Sequence, residues 1–216
     1  MSHQITVVFI MELIGTIAFA CSGAMVAVKK QLDLLGIIVL GVITAVGGGI
    51  IRDLLLGNTP PVAFVKPIYL VVALISVTII FMIVRFGIRT ISLLNSQVFE
   101  SILNLFDAIG LGVFTIVGVN ASLADSPDQG ILLHVFLGVL TGVGGGMIRD
   151  MMVGEIPFVL KKHIYACASL TGALVYFFLS PFIGQNSALV LSTMLVTLIR
   201  ILARHYQWNL PKAMPD

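Results

Sequence analysis

The chain has 216 residues, of which 58% are hydrophobic and only 10% charged, against roughly 25% charged in soluble domains; this composition excludes an ordinary soluble enzyme and places the chain in a membrane. The formal net charge is +2, and its basic residues are scattered and not gathered into a patch, which excludes a nucleic-acid-binding surface. Cys21 and Cys167 both lie inside apolar runs, where each reads as a small hydrophobe, so no disulfide is expected.

Seven apolar stretches are long enough, or nearly so, to cross a hydrocarbon core that takes about 20 helical residues: 5–28, 34–56, 67–84, 102–119, 131–153, 164–183 and 188–203. The opening Met-Ser-His-Gln has no basic character and the first run is too long for a signal-peptide core, so it reads as a span and not as a cleaved leader.

In the first span Glu12 is followed by small residues at Gly15, Ala18, Ala20, Ser22 and Gly23, which allow helices to approach closely in lipid, before Lys29 and Lys30 close it. The second span carries Thr44, then Gly47, Gly48 and Gly49, then Arg52 and Asp53. It must stop at Gly57-Asn58-Thr59-Pro60-Pro61, which cannot continue a helix. Lys66 precedes the third span, which ends at Arg85 and Arg89, and a polar loop through Asn95 and Gln97 follows.

There the pattern restarts. The fourth span matches the first at an offset of 95, with Asp107 at the place of Glu12, Gly110 of Gly15, Phe114 of Phe19 and Gly118 of Gly23. After a loop at 121–130 that holds Asp125 and Asp128 and no basic residue, the fifth span repeats the second at an offset of 97. Residues 40–60 and 137–157 are identical at 13 of 21 positions, among them Thr141, Gly144, Gly145, Gly146, Arg149, Asp150 and Pro157. The sixth span follows Lys161, Lys162 and His163. The seventh ends at Arg200 and Arg204, leads into a polar tail, and has no counterpart in the first half.

The expected fold is an all-α membrane protein of seven transmembrane helices: one repeat over 5–84, a second over 98–183, a seventh helix at 187–205 and a tail at 206–216. Three spans per repeat bring the second copy into the bilayer from the opposite side, an inverted repeat. Alternating the loops puts Lys29, Lys30, Arg85, Arg89, Arg149, Lys161, Lys162, Arg200, Arg204 and Lys212 on one side and only Arg52 and Lys66 on the other. The positive-inside rule makes the first side cytoplasmic, with the N-terminus outside and the C-terminus inside.

Each glycine triplet is expected to break or kink its helix, since three glycines cost a helix about 1 kcal/mol each relative to alanine. Two such breaks imply a polar region near the midplane, because freed backbone groups in a bilayer need protein or water partners. The competing reading is that the glycines only allow two helices to cross tightly. Carbonyls exposed there, with Thr44 and Thr141, suit a partly dehydrated cation or the amine of a small solute, whereas the threonines on their own suit bonding back to a helix carbonyl.

Charges at this depth are usually paired or face water. Two related pairs are expected, Glu12 with Arg52 and Asp107 with Arg149, the alternative being that both arginines snorkel to headgroups. Asp53 and Asp150 flank the same region, but their placement towards opposite faces argues against a shared-proton aspartyl pair. Phe19 and Phe114 are candidate gate rings or plain core residues. His134, near a span end, reads as interfacial, and the lysine pairs read as orientation anchors.

The doubled Gly-Gly-Gly-x-Ile-Arg-Asp, each copy followed by Gly and Pro, resembles the bacterial branch of the trimeric intracellular cation (TRIC) channels, also described as a glycine-transporter-type family. The resemblance covers essentially the whole chain. It implies a homotrimer with one pore per protomer beside Gly47 to Gly49 and Gly144 to Gly146, conducting potassium and sodium in the plasma or inner membrane of a prokaryote, with membrane lipid around it. No cofactor and no resident metal are expected beyond the permeant ion, and a retinal-type sensor fails because the seventh span has no lysine for a Schiff base. The alternative function is transport of glycine or another small zwitterion by alternating access of the two repeats.

Overall fold

The computed structural model describes residues 2–86, 97–161 and 164–208; Arg89, Asn95, Lys162, His163 and Lys212, used above to count loop charge and polarity, lie outside the described residues. Among the described residues there are nine helices: α1 (Ser2–Lys29), α2 (Leu34–Leu55), α3 (Val62–Val65), α4 (Ile68–Phe86), α5 (Gln97–Asp125), α6 (Ile131–Met152), α7 (Phe158–Lys161), α8 (Ile164–Ile183) and α9 (Gln185–His205). Seven of them are long and apolar enough to cross a membrane, and these are the seven expected spans. The fourth runs from 97 to 125, beyond the expected 102–119 at both ends. Its polar ends are held by partners: Asn104 Nδ2 donates to the Glu100 carbonyl at 2.6 Å, and Ser122 Oγ meets His134 Nδ1 at 2.8 Å. Apolarity alone does not report such bonds.

Local chemistry sets the helix ends. Asp33 caps α2, its Oδ1 accepting the Gly36 N–H at 2.7 Å. Gly57 and Gly154 adopt φ of +80° and +70°, the left-handed geometry that ends a helix without a Cβ penalty. After both, the chain folds back through the same pair of bonds: Gly57 N–H to Leu54 O and Asn58 N–H to Asp53 O, then Gly154 N–H to Met151 O and Glu155 N–H to Asp150 O. The short helices α3 and α7 follow at matching places, and neither was evident from the sequence.

Helices α1, α2, α5 and α6 pack most extensively on one another and make the centre of the bundle; α4 lies on α1 and α2, and α8 lies on α5 and α6. Helix α9 covers α5 and α8. Apolar clusters follow this division: Phe19, Ala24, Leu40, Ala73 and Val77 fill the first half, and Leu111, Ile116, Tyr176, Leu189 and Val196 the second.

Of the expected break or kink at the glycines, a break is absent. Helix α2 runs uninterrupted through Gly47–Gly49, as α6 does through Gly144–Gly146. The glycines serve a close crossing instead: a Cβ on Gly48 would lie 2.1 Å from the Thr141 carbonyl oxygen, and one on Gly145 would lie 2.2 Å from that of Thr44. The two contacts are reciprocal, residue for equivalent residue, as at a two-fold axis.

Candidate functional site

Beside this crossing lie two clusters of buried charge, one in each half. In the first, Arg52 turns onto its own neighbour: Nε and Nη2 both donate to Asp53 Oδ1, at 2.9 and 2.7 Å. The other carboxylate oxygen of Asp53 accepts the Val62 N–H at 2.9 Å and so ties the start of α3 to the end of α2. Glu12 comes from α1 and accepts a hydrogen bond from the Tyr69 hydroxyl on α4. Glu12 and Arg52 form no ion pair with each other, contrary to the expected pairing; both face a small cavity of about 40 Å³ that Thr16, Gly49, Asp53, Tyr69 and Phe114 also line. By volume it holds about two or three waters.

The second cluster is built from the same positions but packed shut. Arg149 Nε donates to Asp150 Oδ1 at 2.8 Å, and Asp150 Oδ2 accepts the Phe158 N–H at 2.9 Å, so α7 is tied as α3 is. The Arg149 Nη1 donates to Asp107 Oδ1 at 2.8 Å and to Ser22 Oγ at 2.6 Å, which joins α6 to α5 and α1. The side chains of Arg149 and Asp107 are both fully buried. Arg149 is thus no headgroup anchor: a guanidinium with two carboxylate partners and a hydroxyl has the fixed bonds a buried charge requires.

Arg200 of α9 reaches the same place. Its Nη2 lies 3.7 Å from Asp107 Oδ2, and its Cζ stands 4.3 Å from the centre of the Tyr165 ring, close enough for a cation–π contact.

Formal charges separate the two clusters. Glu12 and Asp53 against Arg52 leave the first with one uncompensated negative charge, whereas Asp107 and Asp150 against Arg149 and Arg200 leave the second neutral.

Thr44 and Thr141 bond back along their helices, to the carbonyls of Leu40 at 2.6 Å and Leu137 at 2.5 Å. Their hydroxyls press on Gly23 and Gly118, where an added Cβ would come within 2.6 and 2.7 Å. Phe19 and Phe114 touch, with ring centroids 5.3 Å apart. A Cβ on Gly110 would meet the Phe19 ring at 2.0 Å, so Phe19 is wedged beside the crossing. His134 is buried inside the protein, held by Ser122 at 2.8 Å and the Gln129 carbonyl at 3.0 Å. Lys29 and Lys30 are exposed and pair with Glu100 and Glu155. Cys21 and Cys167 are free thiols.

Sequence reasoning missed Tyr69 and Tyr165. The signal was present: Lys66-Pro67-Ile68-Tyr69 and Lys162-His163-Ile164-Tyr165 repeat Lys-x-Ile-Tyr at an offset of 96. Ser22 and Arg200 carry no such signal, since they are not repeated.

Comparison with known proteins agrees with this doubled construction. The family model described as "Glycine transporter" matches twice, over residues 9–85 and 104–181. The chain is 39% identical to a UPF0126 membrane protein of Deinococcus radiodurans over 209 residues, 95% of this chain and 92% of that one. It is 37% identical to the UPF0126 inner membrane protein YadS of Escherichia coli K12 over 94% of this chain and 95% of the other. The fold is similar to that of a prokaryotic TRIC channel determined in 0.5 M KCl, with a TM-score of 0.83, 33% identity, and coverage of 95% of this chain and 99% of that one. It is also similar to the trimeric intracellular cation channel orthologue from Rhodobacter sphaeroides, with a TM-score of 0.82, 31% identity, and coverage of 94% and 100%. These neighbours are membrane channels and not enzymes. With two matched repeats, seven spans and relatives along nearly its whole length, the chain belongs to the prokaryotic TRIC channel family, the family of the glycine-transporter model.

Proposed function

We propose that this protein is a passive channel for monovalent cations, potassium and sodium, in the plasma or inner membrane of a prokaryote. It works as a homotrimer whose protomers each carry one path, and its two repeats are inverted in the membrane. The observation that carries the reading is the cavity at Glu12 and Tyr69: it has room for water, one net negative charge, and a wall formed by Ala45, Val46 and Gly49 of α2. A cation entering it exchanges part of its hydration shell for carboxylate and hydroxyl oxygens. The Phe19–Phe114 pair lies beside the cavity and is the candidate gate, closing the path by excluding water.

A glycine transporter is the second reading, and two features weigh against it. Both arginines next to the crossing already bind a neighbouring carboxylate through two nitrogens, so neither is free to recognise the carboxylate of a zwitterion. Rocking of the repeats would also have to open the backbone-close contacts at Gly48 and Gly145.

Single-channel recording of the purified protein in planar bilayers under a potassium gradient, with and without glycine, tests the reading. Discrete cation-selective openings without glycine are expected. Electrical silence together with saturable glycine uptake into liposomes would replace the channel by a transporter.

A further inference from the structure

Two polar atoms in the second cluster, the Tyr165 hydroxyl and Asp107 Oδ2, are buried and have no hydrogen-bond partner. Leaving such groups unpaired is costly in a protein interior. Their counterparts in the first repeat, the Tyr69 hydroxyl and the Glu12 carboxylate, are bonded to each other. A tyrosine and a carboxylate at equivalent positions, the carboxylate one methylene shorter in the second repeat, are therefore joined in one repeat and parted in the other.

Arg200 touches both residues, with its guanidinium over the Tyr165 ring and one nitrogen towards Asp107. It comes from α9, the helix without a counterpart in the first repeat, so among the described residues no equivalent of Arg200 stands at Glu12. Its own Nε is also buried without a hydrogen-bond partner. The fit around Arg200 is thus incomplete, whereas Arg149 donates hydrogen bonds to Asp150, Ser22 and Asp107.

The space around Arg200 gives it somewhere to go. It lines two recesses at the end of the bundle, one of about 280 Å³ with Asn104, Ala203, Arg204 and Trp208, the other of about 460 Å³ with Ser101, Asn104, Arg204 and His205. A long flexible side chain at the wall between a sealed polar cluster and open space can swing from one to the other without moving a helix. The cost of withdrawing it is limited, because Asp107 keeps its bond to Arg149.

We infer that Arg200 is a tethered cation that occupies, in the second repeat, the place a permeant ion takes beside Glu12 in the first, and that its withdrawal lets Tyr165 bond Asp107 and opens that half of the path. The inference rests on the channel reading for its effect on flux, and on the arrangement of the cluster for its effect on structure. In the closed form the guanidinium supplies the positive charge that makes the second cluster neutral. Withdrawn, it leaves one net negative charge there, matching the first cluster.

Three proteins reconstituted in liposomes test this: wild type, Arg200→Gln and Arg200→Lys, each read by potassium flux and by thermal stability in detergent, together with a structure of Arg200→Gln. Removing a unit charge about 4 Å from the path is expected to raise flux about tenfold in Arg200→Gln, with Arg200→Lys near wild type and all three folded. Free guanidinium in the millimolar range should return the Arg200→Gln flux towards wild type, and the variant's structure should bring the Tyr165 hydroxyl onto Asp107. A measurable wild-type flux that Arg200→Gln leaves unchanged would overturn the role of Arg200 and keep the channel. A Tyr165 still parted from Asp107 would overturn it equally, and absence of cation flux from all three proteins would overturn both readings.

Discussion

The guanidinium of Arg149 lies fully buried among Asp107, Asp150 and Ser22, and the ring of Phe158 stands 5.3 Å from its Cζ. Taking away the guanidinium leaves the Asp107 and Asp150 carboxylates without their shared partner in a medium that solvates charge poorly. Arg149→Gln is expected to cost about 3–5 kcal/mol, seen as a large fall in the unfolding midpoint of the detergent-purified protein. Arg52→Gln, beside a cavity with room for water, should cost distinctly less, and equal losses at the two positions would contradict the difference described between the clusters. The charged residues themselves were legible in the sequence, because ionisable groups inside apolar runs stand out. Their partners were less so: Asp107 meets Arg149, but Glu12 meets Tyr69 and Arg52 meets Asp53. Helical depth brings residues to one level and leaves open which rotamer a long side chain takes, and Arg52 turns onto the next residue, Asp53, where the sequence pointed across to another helix.

At the scale of the helices, the glycine triplets were read from composition as weak points, and the structure uses them as contact points. A run of glycine lowers helix propensity, but packing overrides propensity when the lost side chains let two backbones meet. The three positions are not equivalent. A Cβ on Gly48 collides with a backbone carbonyl at 2.1 Å, whereas one on Gly49 meets nothing nearer than Arg52 Nη2 at 3.9 Å. Gly48→Ala is therefore expected to destabilise the fold by about 1–3 kcal/mol through overpacking, and Gly49→Ala to leave stability unchanged or raise it by up to about 1 kcal/mol, since alanine is the better helix former. Thermal unfolding of the two variants side by side would refute the crossing if the order were reversed. The boundaries of α2, α6 and α8 were readable because glycine, proline and polar residues punctuate them, whereas α3 and α7 are single turns too short to leave a periodic pattern.

For the molecule as a whole, the basic residues predict an orientation. With the side that carries Lys29, Lys30, Arg85, Arg149, Arg200 and Arg204 in the cytoplasm, a fluorescent protein fused at the C-terminus should fluoresce in cells and alkaline phosphatase fused there should be inactive; an active phosphatase would invert the topology. The seven-span outline and the doubling were open to sequence because each repeat copies its motifs at nearly constant offset. The difference between the repeats was closed to it, since that difference comes from a helix with no copy to compare. Helix α9 covers one half and brings Arg200 to its polar cluster, so a nearly symmetric chain folds into two unequal half-sites.

The bonds from Asp53 to the Val62 N–H and from Asp150 to the Phe158 N–H have a further consequence. Each aspartate closes a ring of main chain whose circumference is counted in residues, nine positions apart in the first copy and eight in the second. The connector is a measured strap and not slack cord. Lengthening either ring by one residue would carry the start of the short helix away from its carboxylate, so these two turns, unlike loops that accept insertions, should resist changes in length more than changes in composition.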